Sequence, residues 1–425
     1  MEKKFQKYKW ISLMAFAMMY NLVYLGRFNV NHMMDQMAQE LAFTVHQQDL
    51  ISISVFIAYA AGSFINGYLA DRFGAKSALV IGGGASSFLN MFISLQTQWQ
   101  PILCLWLANG YFQSMIWVGG ISLLANWWKE GERGKGVGIA NFFSGMSHTT
   151  AYVLPSMIAL LWPALNWRMN FVIPMALLLV FVCVLQLLAV ERPEDKGLLP
   201  YQMKKPHHIE REAELKQIAD SGKMPWKHIL TQKKFLWWCA VAMLSSTCRY
   251  GLLNWIPLYY AEQNESAILS ETFSNLTLPV GMAFGTLIIT WGAGTKLLDN
   301  KGLIVTGMAA LCGALVIIFP MITDSQTVLV GIFFTGFALY GINGILWLHA
   351  IDQGCRVFAG TAAGILNSFA YLGACAEGVL FPAAMRFFQD FMTVFVVMEL
   401  LCVCMVICGM VISKKNTVVV PEVRE

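Results

Sequence analysis

Twelve apolar segments of about membrane length constrain the fold of this 425-residue chain more than any other feature. The first six lie at residues 11–34, 50–70, 77–96, 101–127, 136–161 and 167–190. Six more follow at residues 235–260, 272–294, 302–320, 325–349, 358–385 and 391–412. An α-helix needs about 20 apolar residues to cross a bilayer, and only helices and closed barrels satisfy their backbone hydrogen bonds in lipid. Continuous runs rich in Leu, Met, Ala and Gly therefore predict twelve transmembrane helices in two sets of six.

The composition excludes an ordinary soluble protein. Hydrophobic residues make up 57% of the chain and charged residues only 13%, whereas soluble domains carry about 25% charged residues. No basic tract resembles a nucleic-acid patch, and we find no P-loop, dinucleotide fingerprint or nucleophile–base arrangement. We therefore expect no enzyme, no nucleic-acid partner and no cofactor. The ten cysteines contain no CxxC pair, and the cluster Cys402, Cys404 and Cys408 fits helix packing better than a metal site.

The loops predict the orientation in the membrane. If the N-terminus is cytoplasmic, 25 of the 29 Lys and Arg residues fall in cytoplasmic segments. The exceptions are Arg27 and Arg249, which lie inside apolar segments, and Arg168 and Arg386, which lie outside the cell. Cytoplasmic loops of membrane proteins carry an excess of Lys and Arg. We therefore expect a multi-pass protein of a bacterial inner membrane, surrounded by lipid, with both termini in the cytoplasm.

One long polar stretch divides the chain. It predicts an N-terminal six-helix bundle at residues 1–190, a cytoplasmic linker at residues 191–234 and a C-terminal bundle with a short tail at residues 235–425. The sequence IEREAELKQIAD within the linker has the charge spacing of a short surface helix. The linker histidines fit a solvated segment better than a metal site: His207, His208 and His228.

The two intramembrane arginines indicate a central anion site. A charged side chain at bilayer depth costs roughly 2.5–3.5 kcal/mol on insertion scales, and a guanidinium suits bidentate pairing with phosphate or carboxylate. The halves also correspond at an offset of 222 or 223 residues, which pairs Arg27 with Arg249, Arg133 with Arg356 and His148 with Tyr371. Such an internal duplication is typical of transporters whose halves rock around a site near the midplane.

The segment GYLADRFGAK between the second and third spans resembles the loop signature of the major facilitator superfamily. Its matching residues are Gly67, Asp71, Arg72, Gly74 and Lys76. Gly74 permits a tight turn, and Asp71 is suited to cap a helix terminus and to pair with a cation of the other half. We expect this loop to act with Arg133 and Arg356 as a gate on the cytoplasmic side.

Within that superfamily, the chain resembles the organophosphate:phosphate antiporter family almost from end to end. The resemblance rests on NWWKEGERGKGVGIAN from Asn126, RYGLLNW from Arg249, WLHAIDQGCRVFAGTAAG from Trp347 and the Tyr-Leu-Gly that begins at Tyr371. It implies a two-lobed fold of twelve helices in which Arg27 and Arg249 hold the phosphoryl group of the substrate. It also implies that His148 adds a titratable donor near the same anion.

The same resemblance supplies further candidate residues and several departures. Cavity aromatics and hydroxyls of the family match Tyr24, Trp117, Tyr340 and Tyr371, and Gln113 lies one helical turn before Trp117. The glycerol-phosphate members carry lysines where this chain has Phe28 and Ser63, and acids where it has Asn254 and, approximately, Pro279. These departures put a glycerol 3-phosphate specificity in doubt, and another organophosphate, a sulfonate or another small anion fits as well.

We predict a secondary transporter that exchanges an anionic phosphorylated metabolite for inorganic phosphate by alternating access. A monomer suffices for this architecture. Two other functions stay open. A membrane sensor of sugar phosphate would share the scaffold, and a symporter of a carboxylate or sulfonate would couple to protons, with Glu377 as the candidate proton carrier.

Overall fold

The computed structural model describes residues 1–162, 166–201, 206–262, 271–293, 300–322 and 325–414, and these parts are helical almost throughout. The first half contains α1 (Glu2–Val23), α2 (Leu25–Leu41), α3 (Val45–Phe73), α4 (Ala75–Ile93), α5 (Trp99–Trp127), α6 (Arg133–Leu161) and α7 (Met169–Leu188). The linker contains α8 (Pro206–Asp220) and α9 (Trp226–Leu230). The second half contains α10 (Lys233–Glu262), α11 (Glu271–Gly292), α12 (Lys301–Ile318), α13 (Ser325–Gly354), α14 (Ala359–Phe388) and α15 (Met392–Ser413).

Twelve long helical units correspond to the twelve predicted spans. Among the described residues, eight units are long and apolar enough to cross a membrane, and one of them is α1 joined to α2. The other four are α4, α6, α10 and α11. Glycine, serine and asparagine lower the hydropathy of α4 and α6, and α10 carries Arg249. Two of these less apolar helices carry candidate site residues, α6 with His148 and α10 with Arg249.

The first crossing is interrupted at Tyr24, between α1 and α2. No proline lies there. The amide nitrogens of Asn109 and Gln113 on α5 both donate to the carbonyl of Gly26, each at 3.0 Å. These two hydrogen bonds tie the backbone of the first crossing to α5 directly beside Arg27.

The two halves meet along two helix pairs, α3 with α14 and α6 with α11. Glycines allow the close approach. A Cβ atom added at Gly67 would lie 2.4 Å from the carbonyl oxygen of Gly360, and one added at Gly364 would lie 2.3 Å from that of Ser63. A Cβ atom at Gly134 would lie 2.3 Å from the carbonyl oxygen of Thr290. Small residues at membrane helix interfaces permit such backbone contact.

Both described chain ends lie at one end of the molecule, here named the linker end. Lys4 donates to the carbonyl of Lys196, and Lys234 donates to that of Lys414 at 2.8 Å. The predicted surface helix is confirmed as α8. The expectation of a solvated His208 is wrong, because this residue is 8% exposed and its side chain pairs with Glu130 of the first half. The side chain of His207 lies outside the described residues.

The linker contacts the second half as well. Arg211 of α8 donates to the carbonyl of Gln353 at 3.4 Å, and the buried Leu215 and Ile229 anchor α8 and α9. His228 contacts both Arg211 and Glu214 within the linker. Burial of the apolar side of α8 explains why a helix with a charged sequence is docked rather than solvated. The linker therefore joins both halves at their linker ends.

Candidate anion-binding site

Arg27 is almost completely buried in the first half and reaches the second. Its Nε atom donates to Gln113 Oε1 at 3.0 Å, and its Nη1 atom donates across the halves to the hydroxyl of Tyr371 at 2.7 Å. The guanidinium carbon lies 4.4 Å from the ring centre of Tyr24 and 4.5 Å from that of Tyr59. Stacking on aromatic faces stabilises a desolvated cation. The Nη2 atom is buried without a hydrogen-bond partner.

Arg249 occupies the corresponding place in the second half. It donates to the hydroxyl of Tyr340 at 2.7 Å and to that of Ser246 at 3.2 Å, and its guanidinium lies 4.5 Å from the ring centre of Tyr250. Its Nε atom is buried without a partner. Among the described residues, no carboxylate oxygen lies within 4 Å of either Arg27 or Arg249. Arg27 is thus buried and Arg249 partly buried, and the hydrogen-bond acceptors given for both are neutral.

A polar network behind Arg27 holds its partner Gln113 in place. The Gln113 amide nitrogen contacts Ser86 Oγ at 3.0 Å and Asn109 Oδ1 at 3.2 Å. Asn90 donates to Asn109 and accepts from Asn29. Sequence reasoning selected Gln113 but missed the other members. The sequence signal that could have found Asn90 and Asn109 is an asparagine inside each of the third and fourth apolar segments. An amide in such a segment needs hydrogen-bond partners.

His148 and Tyr24 lie together beside the arginines. The ring of His148 lies 5.0 Å from that of Tyr24 and 5.1 Å from that of Phe28. The His148 Nε2 atom is buried without a hydrogen-bond partner. Tyr59, which the sequence reasoning missed, stacks on Tyr371 at 4.0 Å. Arg27, His148, Tyr24 and Tyr371 therefore lie close together, and their role in binding an anion stays a prediction.

A small chamber of about 30 Å³ lies between the halves and adjoins these residues. That volume holds one or two water molecules. All four predicted aromatic residues line it together with Arg249: Tyr24, Trp117, Tyr340 and Tyr371. The ring of Trp117 packs against Tyr20 at 4.5 Å and against Trp347 at 5.2 Å.

A larger pocket of about 380 Å³ lies between the halves, and we name it the outer pocket. Phe28, His148, Asn254 and Pro279 are among the residues that line it. His148 lines this pocket, and its ring packs against Tyr24, which lines the chamber. Ser63, by contrast, lies in the α3–α14 interface, where it accepts a hydrogen bond from Asn367 at 3.1 Å. Of the positions that depart from the family pattern, three therefore face the outer pocket and one does not.

Asp71 caps a helix of the other half. It accepts hydrogen bonds from the backbone N–H groups of Gly360 at 2.9 Å and Thr361 at 2.6 Å, and from the Thr361 hydroxyl at 2.7 Å. Ser122 of its own half donates at 3.0 Å. The predicted helix cap is confirmed. The predicted cation partner is wrong, because no Lys or Arg nitrogen among the described residues lies within 4 Å of Asp71.

The other residues of the loop signature have local roles. Gly74 adopts a φ of +107°, and a Cβ atom there would lie 2.5 Å from an oxygen of Glu191. Glu191 in turn accepts from the N–H of Ala75 at 3.2 Å, at the start of α4. Arg72 is exposed and Lys76 is partly exposed. The glycine is thus required by both conformation and space, whereas the two cations lie at the surface of the linker end.

Arg133 and Arg356 join separate parts of the chain at the linker end. Arg133, 2% exposed, donates to Asp352 of the second half at 2.8 Å and to the hydroxyl of Tyr201 at 3.0 Å. Lys301 also pairs with Asp352. Arg356 pairs with Glu194 of the linker at 2.8 Å. Burial alone would raise the pKa of Glu194, but the hydrogen bond and charge of Arg356, together with a backbone hydrogen bond and the charge of Arg192, hold that pKa below its ordinary value.

Glu377 is buried on α14 and contacts the helix that carries Arg249. Its carboxylate accepts from the Asn254 amide at 3.3 Å and from the Trp255 indole at 2.9 Å. Both donors are neutral. Glu377 therefore lies directly behind Asn254, with respect to the outer pocket.

Three buried thiols converge in the second half. The Sγ atoms of Cys248, Cys312 and Cys402 all lie within 4.8 Å of one another. The sequence grouped Cys402 with Cys404 and Cys408, which share its helix. The structure instead groups it with cysteines from α10 and α12, while Cys404 is exposed. Three sulfur atoms at this spacing are a set of ligands that soft metal ions prefer.

A helical protein with two halves of membrane-spanning length, and one arginine of each half inside its spanning segments, has the construction of a membrane carrier. The family model for the Major Facilitator Superfamily matches residues 16–376, and the chain belongs to that superfamily. The twelve long helical units of the described residues form the fold of that superfamily. Solved structures agree. The chain resembles FucP in the outward conformation, with a TM-score of 0.68, 11% identity and coverage of 95% of this chain and 99% of that one. It also resembles the proton:xylose symporter XylE, with a TM-score of 0.69, 15% identity and coverage of 95% of each chain.

Similar proteins of known sequence include transporters and a sensor. A probable hexose phosphate transport protein of Chlamydia pneumoniae is 24% identical over 88% of this chain and 85% of that protein. A glycerol-3-phosphate transporter of Bacillus subtilis (strain 168) is 25% identical over 80% of this chain and 77% of that protein. The membrane sensor protein UhpC of Escherichia coli (strain K12) is 23% identical over 84% of this chain and 82% of that protein.

Proposed function

We propose that the chain is a secondary transporter that exchanges a phosphorylated metabolite for inorganic phosphate by alternating access. The observation that carries this proposal is the pair of guanidiniums, one from each half, that lie between the halves with no carboxylate among the described residues beside them. A phosphoryl group supplies the opposite charge, and its oxygens match the fork of donors on each guanidinium. The hexose phosphate and glycerol-3-phosphate transporters among the relatives support the choice of an organophosphate.

Two tyrosines hold the arginines in this arrangement. Tyr371 and Tyr340 each offer one neutral hydroxyl to a guanidinium, and an entering phosphoryl group replaces these weaker acceptors. A chamber of about 30 Å³ is too small for a phosphorylated metabolite, so binding must move side chains and helices apart. Because Tyr371 comes from one half and Arg27 from the other, the exchange of acceptors changes the contact between the halves.

The excess of Lys and Arg at the linker end favours a cytoplasmic location for that end. The outer pocket then faces the outside of the cell. Asp71, Arg133 and Arg356 make their contacts at the linker end, so this arrangement is closed toward the cytoplasm. Transport to the inside requires these contacts to break and the outer pocket to close, with the anion held between the two arginines.

Exchange follows from the charge of the site. Closing both ends around two cations that contact only neutral acceptors is costly, because desolvated charges need opposite charges. Either inorganic phosphate or the organophosphate relieves that cost. An anion must therefore be bound whenever the protein switches, which couples entry of one anion to exit of another.

Exchange of labelled phosphate in proteoliposomes loaded with unlabelled phosphate tests this function. We expect exchange in the wild-type protein and competition by sugar phosphates. Arg27→Ala and Arg249→Ala should abolish it, whereas Arg386→Ala, at an exposed arginine of α14, should not. Arg27→Lys retains charge but not the fork of donors and should restore little exchange. Phosphate affinity that survives removal of both Arg27 and Arg249 would contradict the proposal.

Two alternatives have separate signatures. The relative UhpC is a membrane sensor, and a sensor would bind sugar phosphate with negligible exchange in the same vesicles. A proton-coupled symporter is suggested by Glu377, a buried carboxylate with only neutral donors among the described residues. Uptake driven by a pH gradient without a counter-anion, and lost in Glu377→Gln, would support that function.

A further inference from the structure

The side chains of Cys248, Cys312 and Cys402, here named the thiol cluster, line neither the chamber nor the outer pocket. They come from α10, α12 and α15, and each residue is at most 1% exposed. Within the described ranges, this is the one group of three or more Cys, His, Asp or Glu side chains whose ligand atoms all lie within 4.8 Å of one another. Three helices that are distant in the sequence therefore bring their sulfur atoms together inside the second half.

The spacing of the thiol cluster fits a metal ion. Three thiolates bound to one zinc ion, each about 2.3 Å from it, lie about 3.8–4.0 Å from one another. Sulfur atoms that already lie within 4.8 Å of one another reach that spacing through small changes of side-chain position. A buried cysteine by itself behaves as a small apolar side chain, but packing does not require three of them to meet.

Glu399 is an independent sign of a cation at this place. It precedes Cys402 by three residues on α15, and its Oε2 atom is buried without a hydrogen-bond partner. Gly313, which follows Cys312, leaves room for this carboxylate. A Cβ atom added at Gly313 would lie 2.6 Å from Glu399 Oε2 and 3.1 Å from Cys402 Cβ. A carboxylate without a partner in a membrane span is costly, and a cation bound at the neighbouring thiols would offset that cost.

From this arrangement we infer that the thiol cluster binds a soft divalent metal ion through the sulfur atoms of Cys248, Cys312 and Cys402. Thiolates are ligands that soft ions prefer and hard cations do not. Binding releases the three thiol protons. The carboxylate of Glu399 takes up one of them, and two pass to water. Two positive charges thus arrive and two leave, so the net charge inside the membrane is unchanged.

The bound ion joins α10, α12 and α15 at one point of the second half. Cys248 directly precedes Arg249 in the sequence, so a ligand of the metal and a candidate ligand of the anion are neighbours on α10. The ion therefore fixes the part of the backbone that carries Arg249. Because all three thiols belong to the second half, this inference does not depend on the proposed exchange of anions.

Titration of the purified full-length protein with Cd²⁺ tests the inference, because Cd²⁺–thiolate bonds absorb in the ultraviolet and Cd²⁺ does not change its oxidation state here. We expect one Cd²⁺ ion per chain, a thiolate absorption that grows in step with binding, and a midpoint of thermal unfolding that rises with Cd²⁺ concentration. X-ray absorption at the cadmium edge should show three sulfur neighbours. Mg²⁺ should produce none of these changes, because it prefers oxygen ligands.

Replacement of single thiols locates the ion. Cys248→Ala and Cys402→Ala each remove one ligand, and we expect each to weaken Cd²⁺ binding by at least about a hundredfold. Cys239→Ala on α10 and Cys404→Ala on α15 remove thiols of the same helices outside the cluster, and they should leave Cd²⁺ affinity unchanged. Thermal unfolding without metal checks that each variant is folded.

Glu399→Gln tests the role of the carboxylate as a proton acceptor beside the thiols. We expect Cd²⁺ affinity to fall by about ten- to hundredfold while the thiolate absorption remains. Calorimetry in buffers of different ionisation enthalpy should show that the protons released per Cd²⁺ rise from about two to about three. Glu377→Gln, at the carboxylate of α14, should change neither quantity.

Three results would overturn the metal site. The first is the absence of a thiolate absorption when Cd²⁺ is added to the wild-type protein. The second is a cadmium shell in which oxygen or nitrogen replaces the three sulfurs. The third is an equal loss of affinity in the cluster variants and in their matched controls. If a cluster variant does not fold, the sulfur count in the wild-type protein still decides, because no other three cysteines among the described residues lie this close together.

Discussion

Removing the charge of Asp71 should open the linker end. Phe358, the residue before α14, supplies no capping side chain, so the first turn of α14 depends on a carboxylate from the other half. Asp71 receives three hydrogen bonds from Gly360 and Thr361 across the interface. Hydrogen bonds to charged groups contribute about 1.5–3 kcal/mol each, with strong non-additivity. Asp71→Asn keeps one accepting oxygen but turns an N–H₂ group toward the backbone donors. We therefore expect the closed arrangement to lose about 2–4 kcal/mol of stability relative to the open one.

Hydrogen exchange measured by mass spectrometry reports this loss directly, because the Gly360 and Thr361 amides are themselves the donors. A loss of this size lowers their protection by roughly 30- to 1,000-fold, as 1.4 kcal/mol corresponds to a factor of ten. Thr361→Val removes one hydroxyl and should have a smaller effect. Arg72→Ala changes an exposed neighbour and should have none. Wild-type protection of the start of α14 in a folded Asp71→Asn variant would refute the argument that this cap closes the linker end.

Three further perturbations test the site and the interface. Tyr371→Phe removes the hydroxyl that Arg27 contacts. We expect the free energy of unfolding to fall by about 1–3 kcal/mol, with phosphate affinity retained or increased. Loss of phosphate binding would contradict the argument that phosphate replaces this hydroxyl as the acceptor of Arg27. Gln113→Leu leaves Arg27 without its oriented partner, so titration should show phosphate affinity weaker by about tenfold or more. Gly67→Ala forces a Cβ atom against the backbone of α14, whereas Gly84→Ala meets nothing within 4 Å. Only the former should lower the melting temperature and phosphate exchange, and equal effects would contradict the close-contact argument.

The site illustrates how far the sequence could go. Arg27, Arg249 and His148 were predictable because a charged or titratable group in an apolar segment is costly and needs a reason. Tyr59 was not, since its segment gives no sign that its ring lies against Arg27 and Tyr371. The rotation of one helix against another decides such contacts, and hydropathy does not encode that rotation.

The linker also shows that local sequence predicts secondary structure better than it predicts burial. Its charge spacing predicted a helix correctly, because that preference is local. The burial of His208 against Glu130 was not predicted, since the histidine and the carboxylate come from different parts of the chain. A polar sequence indicates that a segment can face water. Part of that segment is still buried when a complementary surface of another part of the chain packs against it.

The sequence by itself determined the number and length of the crossings, the two-part organisation, the charged asymmetry of the loops and the pair of intramembrane arginines. These follow from local hydrophobicity and charge, because lipid imposes the same requirement on every segment that crosses it. Only the tertiary structure decided which end is closed and that Asp71 caps a helix of the other half without a cation partner among the described residues. It also decided that the described lining of the outer pocket contains no Lys, Arg, Asp or Glu. Those features depend on contacts between residues hundreds of positions apart, and their energies arise only when the two halves are packed together.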